Sequence, residues 1–146
     1  MIRIYRLIKR RWLAQAFDGE VASRHGGRWN SKGQACVYGA GSQALARLET
    51  LMHLNDGAVM RHFAMLELTL DEAFILHLPC TDLPLDWRGE PAPAATAWLG
   101  DQWLESNQSL ALAVPSVQVA HEFNYLLNPR YPDFAGVVEG AINIYS

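Results

Sequence analysis

The residues with most chemistry to offer stand close together in the first third of the chain. Arg24-His25-Gly26-Gly27-Arg28-Trp29-Asn30-Ser31-Lys32-Gly33 sets two adjacent glycines beside an arginine, a tryptophan and an asparagine, with no apolar periodicity to account for them. Adjacent glycines let a backbone take positive φ or lie directly against a ligand, at a cost in conformational entropy. Arg28 adds a planar fork of donors matched to phosphate or carboxylate. Tyr38 and Glu49 follow downstream and supply an aromatic face and a carboxylate. Together they suggest an anion site. A glycine-rich turn carrying a solvated arginine is the plainer alternative, and the surrounding elements must decide between the two.

Those elements read as a mixture of strands and helices. Met1 to Ile8 alternates as a strand with Arg6 near its end, and Ala35 to Ala40 forms a compact second strand. Ser42 to Leu54 is the clearest helix, with Ser42 as N-cap and Leu45, Leu48, Leu51 and Met52 as its apolar stripe. Glu49 lies beside that stripe. A carboxylate there must be paired, shed its charge or line a cavity; a boundary Glu bridged to Arg47 or His53, or simply solvated, is the alternative. Phe63 to Leu70 alternates as a strand, Phe74 to Leu78 is a shorter one, and the proline-rich Thr81 to Pro93 is irregular surface. Ala94 to Glu105 reads as a helix carrying Trp98 and Trp103, which with Trp29 are assigned to packing. Leu110 to Val114 forms a strand that Val117 and Val119 extend, His121 to Leu127 leads into a turn at Asn128-Pro129, and Val137 to Ile144 supplies a last strand. Without regular β-α-β alternation, this pattern predicts a single α+β domain over residues 1–146 with a mixed or antiparallel sheet.

Composition excludes several classes. The formal net charge is −3, so no general attraction draws the chain to nucleic acid or an anionic membrane. Its basic residues cluster in the first third, which suits a local anion site better than a DNA-binding face. Two isolated cysteines, Cys36 and Cys80, form no disulfide framework, and five histidines show no metal-ligand spacing. No apolar run approaches the ~18 residues of a membrane span, and the basic N-terminus lacks the pattern of a signal peptide. The expectation is a soluble, cytoplasmic protein without a metal. Dinucleotide-binding G-x-G-x-x-G, Walker A and G-x-S-x-G sequences are absent.

The assembled motifs resemble the RES domain, the toxin half of RES–Xre toxin–antitoxin systems. The matching features are Tyr5-Arg6, then Gly26-Gly27-Arg28-Trp29-Asn30 with Gly33, Val37-Tyr38, and the Ala44-Leu45-Ala46-Arg47-Leu48-Glu49 helix. Gly100-Asp101-Gln102-Trp103, Val114-Pro115-Ser116 and Asn124-Tyr125-Leu126-Leu127-Asn128-Pro129 follow in the family's order. The Arg, Glu and Ser that name the domain map to Arg28, Glu49 and Ser116. One departure is the end of the chain: Asn143-Ile144-Tyr145-Ser146 replaces the Phe-Asp-Pro-Arg-Leu-like tail of many members.

The resemblance implies an ADP-ribosyltransferase-like fold and NAD⁺ as substrate, cleaved at the nicotinamide–ribose bond by hydrolysis or phosphorolysis, with growth arrest as the outcome. Protein ADP-ribosylation is the alternative. Breaking that bond leaves a ribosyl cation of oxocarbenium character. Glu49 would stabilise it, an electrostatic contribution of ~3–4 kcal/mol for a well-placed group. Arg28 would bind the pyrophosphate, Tyr38 would stack on nicotinamide with its hydroxyl free to hydrogen-bond, and Ser116 would orient ribose or acceptor unless it merely caps a turn. Arg6 is a second candidate phosphate cation, or else an arginine snorkelling to solvent. Arg47 is read as a helix-surface charge, and Asn124 and Asn128 as loop braces. Glu49 on a helix lacks the Glu-x-Glu strand pair of arginine-modifying transferases, which weighs against protein modification. The implied partner is an Xre-type helix-turn-helix antitoxin, which would make any DNA contact, and homodimerisation within a larger complex is compatible with the resemblance. A non-enzymatic binding module and a nuclease are the competing classes.

Overall fold

The computed structural model describes residues 1–52 and 61–145. Among the described residues, seven strands form one sheet: β1 (Ile2–Lys9), β2 (Val37–Ala40), β3 (Phe63–Leu70), β4 (Ile75–His77), β5 (Ala111–Pro115), β6 (Phe123–Leu127) and β7 (Ile142–Asn143), ordered β4-β5-β6-β2-β1-β3-β7. Every neighbouring pair is antiparallel except β4 and β5, so the sheet is mixed, as predicted. The α-helices among the described residues are α1 (Glu20–His25), α2 (Gln43–Met52), α3 (Ala94–Ser106) and α4 (Phe134–Glu139). No helix among the described residues is long and apolar enough to cross a membrane.

Strand periodicity assigns the two faces. Ile4 of β1, Val37 of β2, Leu68 and Leu70 of β3, Ala111 and Ala113 of β5 and Leu127 of β6 point one way, against Phe134, Val137 and Val138. Residues of the opposite parity build two further clusters. Leu112, Val114 and Leu126 pack with Trp103 and Leu104 of α3 and with Trp29, while Ala40 and Met65 pack with Leu45 and Ala46 of α2. Both faces being covered, β3 buries Phe63, Ala64, Met65 and Leu66 in succession, and only Glu67 and Thr69 break the run.

Four expectations are corrected. The buried stripe of α2 is Leu45 and Ala46, while Leu51 and Met52 are exposed; the predicted helix end at His53 and Leu54 lies outside the described residues. Val117 and Val119 do not extend β5, because the Ser116 hydroxyl accepts from the amides of Gln118 and Val119 and turns the chain. The last strand begins only at Ile142. Residues 134–139 are helical because Phe134, Val137 and Val138 at i, i+3 and i+4 reach the core together, which overrides the strand preference of paired valines. Trp98 is exposed at 60%, whereas Trp29 and Trp103 are packed as expected.

Two features can be tested. The Cys36 thiol is buried and pushed up to about 12, mainly by desolvation, while Cys80 is exposed. A thiol reagent at neutral pH should label Cys80 quickly and Cys36 only on unfolding. Because the folded state holds the Cys36 proton more tightly than the unfolded chain, its contribution is intact below about pH 9 and lost as pH rises from 9 towards 12; urea midpoints across that range should fall, and Cys36→Ala should flatten the decline. Gly100 of α3 lies against the Trp29 carbonyl, and a Cβ there would come within 1.6 Å of that oxygen. Gly100→Ala should therefore cost about 3 kcal/mol or more, measured by denaturant unfolding.

Candidate functional site

A tight turn after α1 shapes the arginine loop. Gly26 takes φ +71 and its amide caps α1 on the Ala22 carbonyl at 2.8 Å. The Gly27 amide then bonds the Asn30 carbonyl at 2.9 Å, folding residues 27–30 onto themselves. Asn30 is buried at 1% exposure, and its amide donates to the carbonyls of Ala22 and Gln34 at 2.8 and 3.1 Å. The Tyr38 hydroxyl donates to Asn30 Oδ1 and accepts from the Trp29 amide. A Cβ on Gly27 would sit 2.8 Å from the Tyr38 hydroxyl and 2.9 Å from Asn30 Oδ1, so glycine is required there. From the other side α3 grips the loop: Thr96 Oγ1 donates to the Arg28 carbonyl at 2.7 Å, and Asp101 accepts from both the amide and hydroxyl of Ser31.

The loop forms one wall of a cavity of about 440 Å³, within the range of small-molecule sites. Arg6, Arg28, Tyr38 and Glu49 all line it, as do Glu90 and Asn124. Glu49 reaches the cavity because Glu49 and Thr50 follow the buried Leu45 and Ala46 at i+3 and i+4 along the same side of α2. Its Oε1 accepts from Ser116 Oγ at 2.9 Å and from Asn124 Nδ2 at 3.0 Å. Ser116 lies behind Glu49 and does not line the cavity itself. With the two amide N–H groups of Gln118 and Val119 already on its oxygen, its proton is directed at the carboxylate. Among the described residues Oε2 has no hydrogen-bond partner.

The two arginines are more committed than expected. Arg28 Nη1 donates to the carbonyls of Trp87 and Gly89 at 2.7 and 3.0 Å, and Nη2 pairs with the Glu90 carboxylate. Arg6 does not snorkel to solvent. Its Nε and Nη1 donate to the carbonyls of Ala16 and Tyr38, both at 2.8 Å, and burial lowers its pKa. The Tyr38 hydroxyl hydrogen-bonds within the loop and braces it, and burial raises its pKa well above 10. Arg47 is exposed and bonds the Tyr145 hydroxyl at 2.6 Å, in keeping with a helix-surface charge.

Asn128 is the loop brace expected of it, donating to the Leu104 carbonyl and the Asn107 side chain. Asn124 is not a loop brace but a partner of Glu49, placed by its register opposite Val114 on β5 and Ala40 on β2. A polar amide inside Phe123-Asn124-Tyr125-Leu126-Leu127 was the available signal. Glu90 carried none in the sequence, because its pairing with Arg28 spans 62 residues.

The sequence model of the RES domain matches residues 3–144. The chain is 45% identical to "Toxin Res" of Yersinia enterocolitica over 131 residues, which cover 90% of this chain and 86% of that protein. It is 37% identical to "Toxin Res" of Photorhabdus laumondii, covering 90% and 84%. The "Prs ADP-ribosylating toxin" of a Sphingobium species is 38% identical, covering 88% and 81%. A chain from the crystal structure of the M. tuberculosis MbcT–MbcA toxin–antitoxin complex superposes with a TM-score of 0.66 at 16% identity, over 98% of this chain and 84% of that one, a likeness of fold. Matched almost end to end by the family model, and 45% identical to one of its toxins over most of both chains, the chain belongs to the RES domain family.

Proposed function

We propose that this protein is the toxin of a toxin–antitoxin pair and that it cleaves the nicotinamide–ribose bond of NAD⁺, depleting the cytoplasmic pool and arresting growth. The observation that carries the reading is the carboxylate of Glu49, fixed at one oxygen by Ser116 and Asn124 and facing the cavity that Arg28 also lines. The names of the relatives support the toxin role, and the toxin–antitoxin complex that shares the fold supports an antitoxin partner. An Xre-type helix-turn-helix protein is the partner the family implies, with homodimerisation as a further arrangement for the complex.

In this mechanism the chain supplies positioning and charge. As the glycosidic bond breaks, nicotinamide leaves with the bonding electron pair and the ribose becomes cationic. A fixed carboxylate beside it stabilises that charge without reorganising, which is why Glu49 is tethered. Arg28 binds the pyrophosphate through charge-assisted hydrogen bonds, with the half-buried Arg6 adding positive potential. The ring of Tyr38 offers a flat surface for nicotinamide. Ser116 acts through Glu49. With its proton on the carboxylate and its oxygen occupied by two amides, it is not poised as a nucleophile, and the ribosyl cation passes to water or phosphate. Transfer to a protein side chain is the second reading, favoured by the ADP-ribosylating name of the Sphingobium relative.

Purified, antitoxin-free protein incubated with NAD⁺, with and without phosphate, should release nicotinamide. Mass analysis then separates the acceptors: ADP-ribose marks hydrolysis, ADP-ribose-1″-phosphate marks phosphorolysis, and a mass-shifted protein marks transfer. NAD⁺ left intact under both conditions would refute the enzymatic reading in favour of a binding module. Glu49→Gln should lower kcat about 10²- to 10³-fold, and Ser116→Ala should lower it less. Arg28→Ala should raise KM, and a variant that turned over normally would remove Arg28 from the site.

A further inference from the structure

The pairing of Arg28 with Glu90 divides the guanidinium into two unlike halves. Nη1 is bound by two backbone carbonyls, those of Trp87 and Gly89, and can be released only if the chain around them moves. Nη2 is bound by one carboxylate on a side chain that is 71% exposed, while the Arg28 side chain is 15% exposed. Both residues line the cavity. The first half aims the fork; the second presents a donor to the cavity wall with an anion already on it.

We propose that Glu90 is a resident stand-in for an anionic oxygen of the ligand, and that a ligand diphosphate takes its place on Nη2 of Arg28. The carboxylate side of the pair is open to water, so solvent screening makes the carboxylate cheap to displace. A phosphate oxygen re-forms the same charge-assisted N–H···O bond and leaves the Nη1 anchors in place. Without ligand, Glu90 keeps the arginine's charge compensated; with ligand, the carboxylate swings to water. Glu90 then tunes affinity at this site, opposing anionic ligands without contributing to the bond-breaking step. The source of the diphosphate, NAD⁺, rests on the function proposed above, whereas the exchange at Nη2 does not.

The test compares wild type with Glu90→Gln, which retains an acceptor oxygen and removes the charge. Inorganic pyrophosphate, titrated calorimetrically without metal, should bind about two- to fivefold more tightly to the variant, and the gain should shrink at high salt. The KM for NAD⁺ should fall by a similar factor, with the change in KM rather than kcat. In an Arg28→Lys background, Glu90→Gln should have little further effect. Pyrophosphate binding that is unchanged, weakened or undetectable in Glu90→Gln would overturn the assignment. If pyrophosphate binding tightens while wild type leaves NAD⁺ intact, the exchange at Arg28 stands and the NAD⁺-cleaving reading falls.

Discussion

The side chain of Asn30 is the point on which the site depends. Almost wholly buried, it ties the end of α1, the arginine loop and β2 together through bonds to Ala22, Gln34 and Tyr38. Losing one partner of such a network strands the others away from water, at about 1–3 kcal/mol for each unmatched group. The loop therefore has little freedom to adopt a second shape. Arg28 leaves a fixed backbone, and the Tyr38 ring cannot rotate away without releasing its hydroxyl from Asn30 and the Trp29 amide.

Charge inside the molecule is handled by the same economy of partners. Arg6, half-buried and without an ion-pair partner among the described residues, is held by two carbonyl dipoles, and this makes it a brace between β2 and the turn after β1. Glu49 has one oxygen tethered by a hydroxyl and an amide. Among the described residues Arg6 and Glu49 are thus held by neutral partners, whereas Arg28 also carries an exposed carboxylate. Neutral donors and acceptors orient an ion without cancelling its field, so the cavity retains the potential of its charges.

Much of this was legible in the sequence, for identifiable reasons. Leu45 and the Ser42 cap declare α2, and the alternation of β1 and β3 declares the centre of the sheet. The glycine pair beside Arg28 marked the loop because Gly26 needs positive φ and Gly27 needs the space of a missing Cβ. What escaped depended on residues far apart along the chain. The valines of α4 look like a strand until the core beneath them is known. The identity of the partner that the Tyr38 hydroxyl takes, Asn30, is set only once the turn has folded. The same holds for the engagement of Arg28 by residues 87–90, since irregular proline-rich sequence gives no period from which to read a contact.

Residues 144 and 145 are joined to the helix that carries Glu49. Ile144 bonds the Met65 carbonyl on β3, and Tyr145 receives the Arg47 guanidinium both at its hydroxyl and over its ring. Arg47 stands two residues from Glu49, so the tail holds α2 from outside while Ser116 and Asn124 hold its carboxylate from within. Positions 47 and 145 form one mechanical unit. Substituting other residues at 144 and 145 would leave this helix to be steadied by other means, and a segment grafted there would have to travel with a partner at position 47.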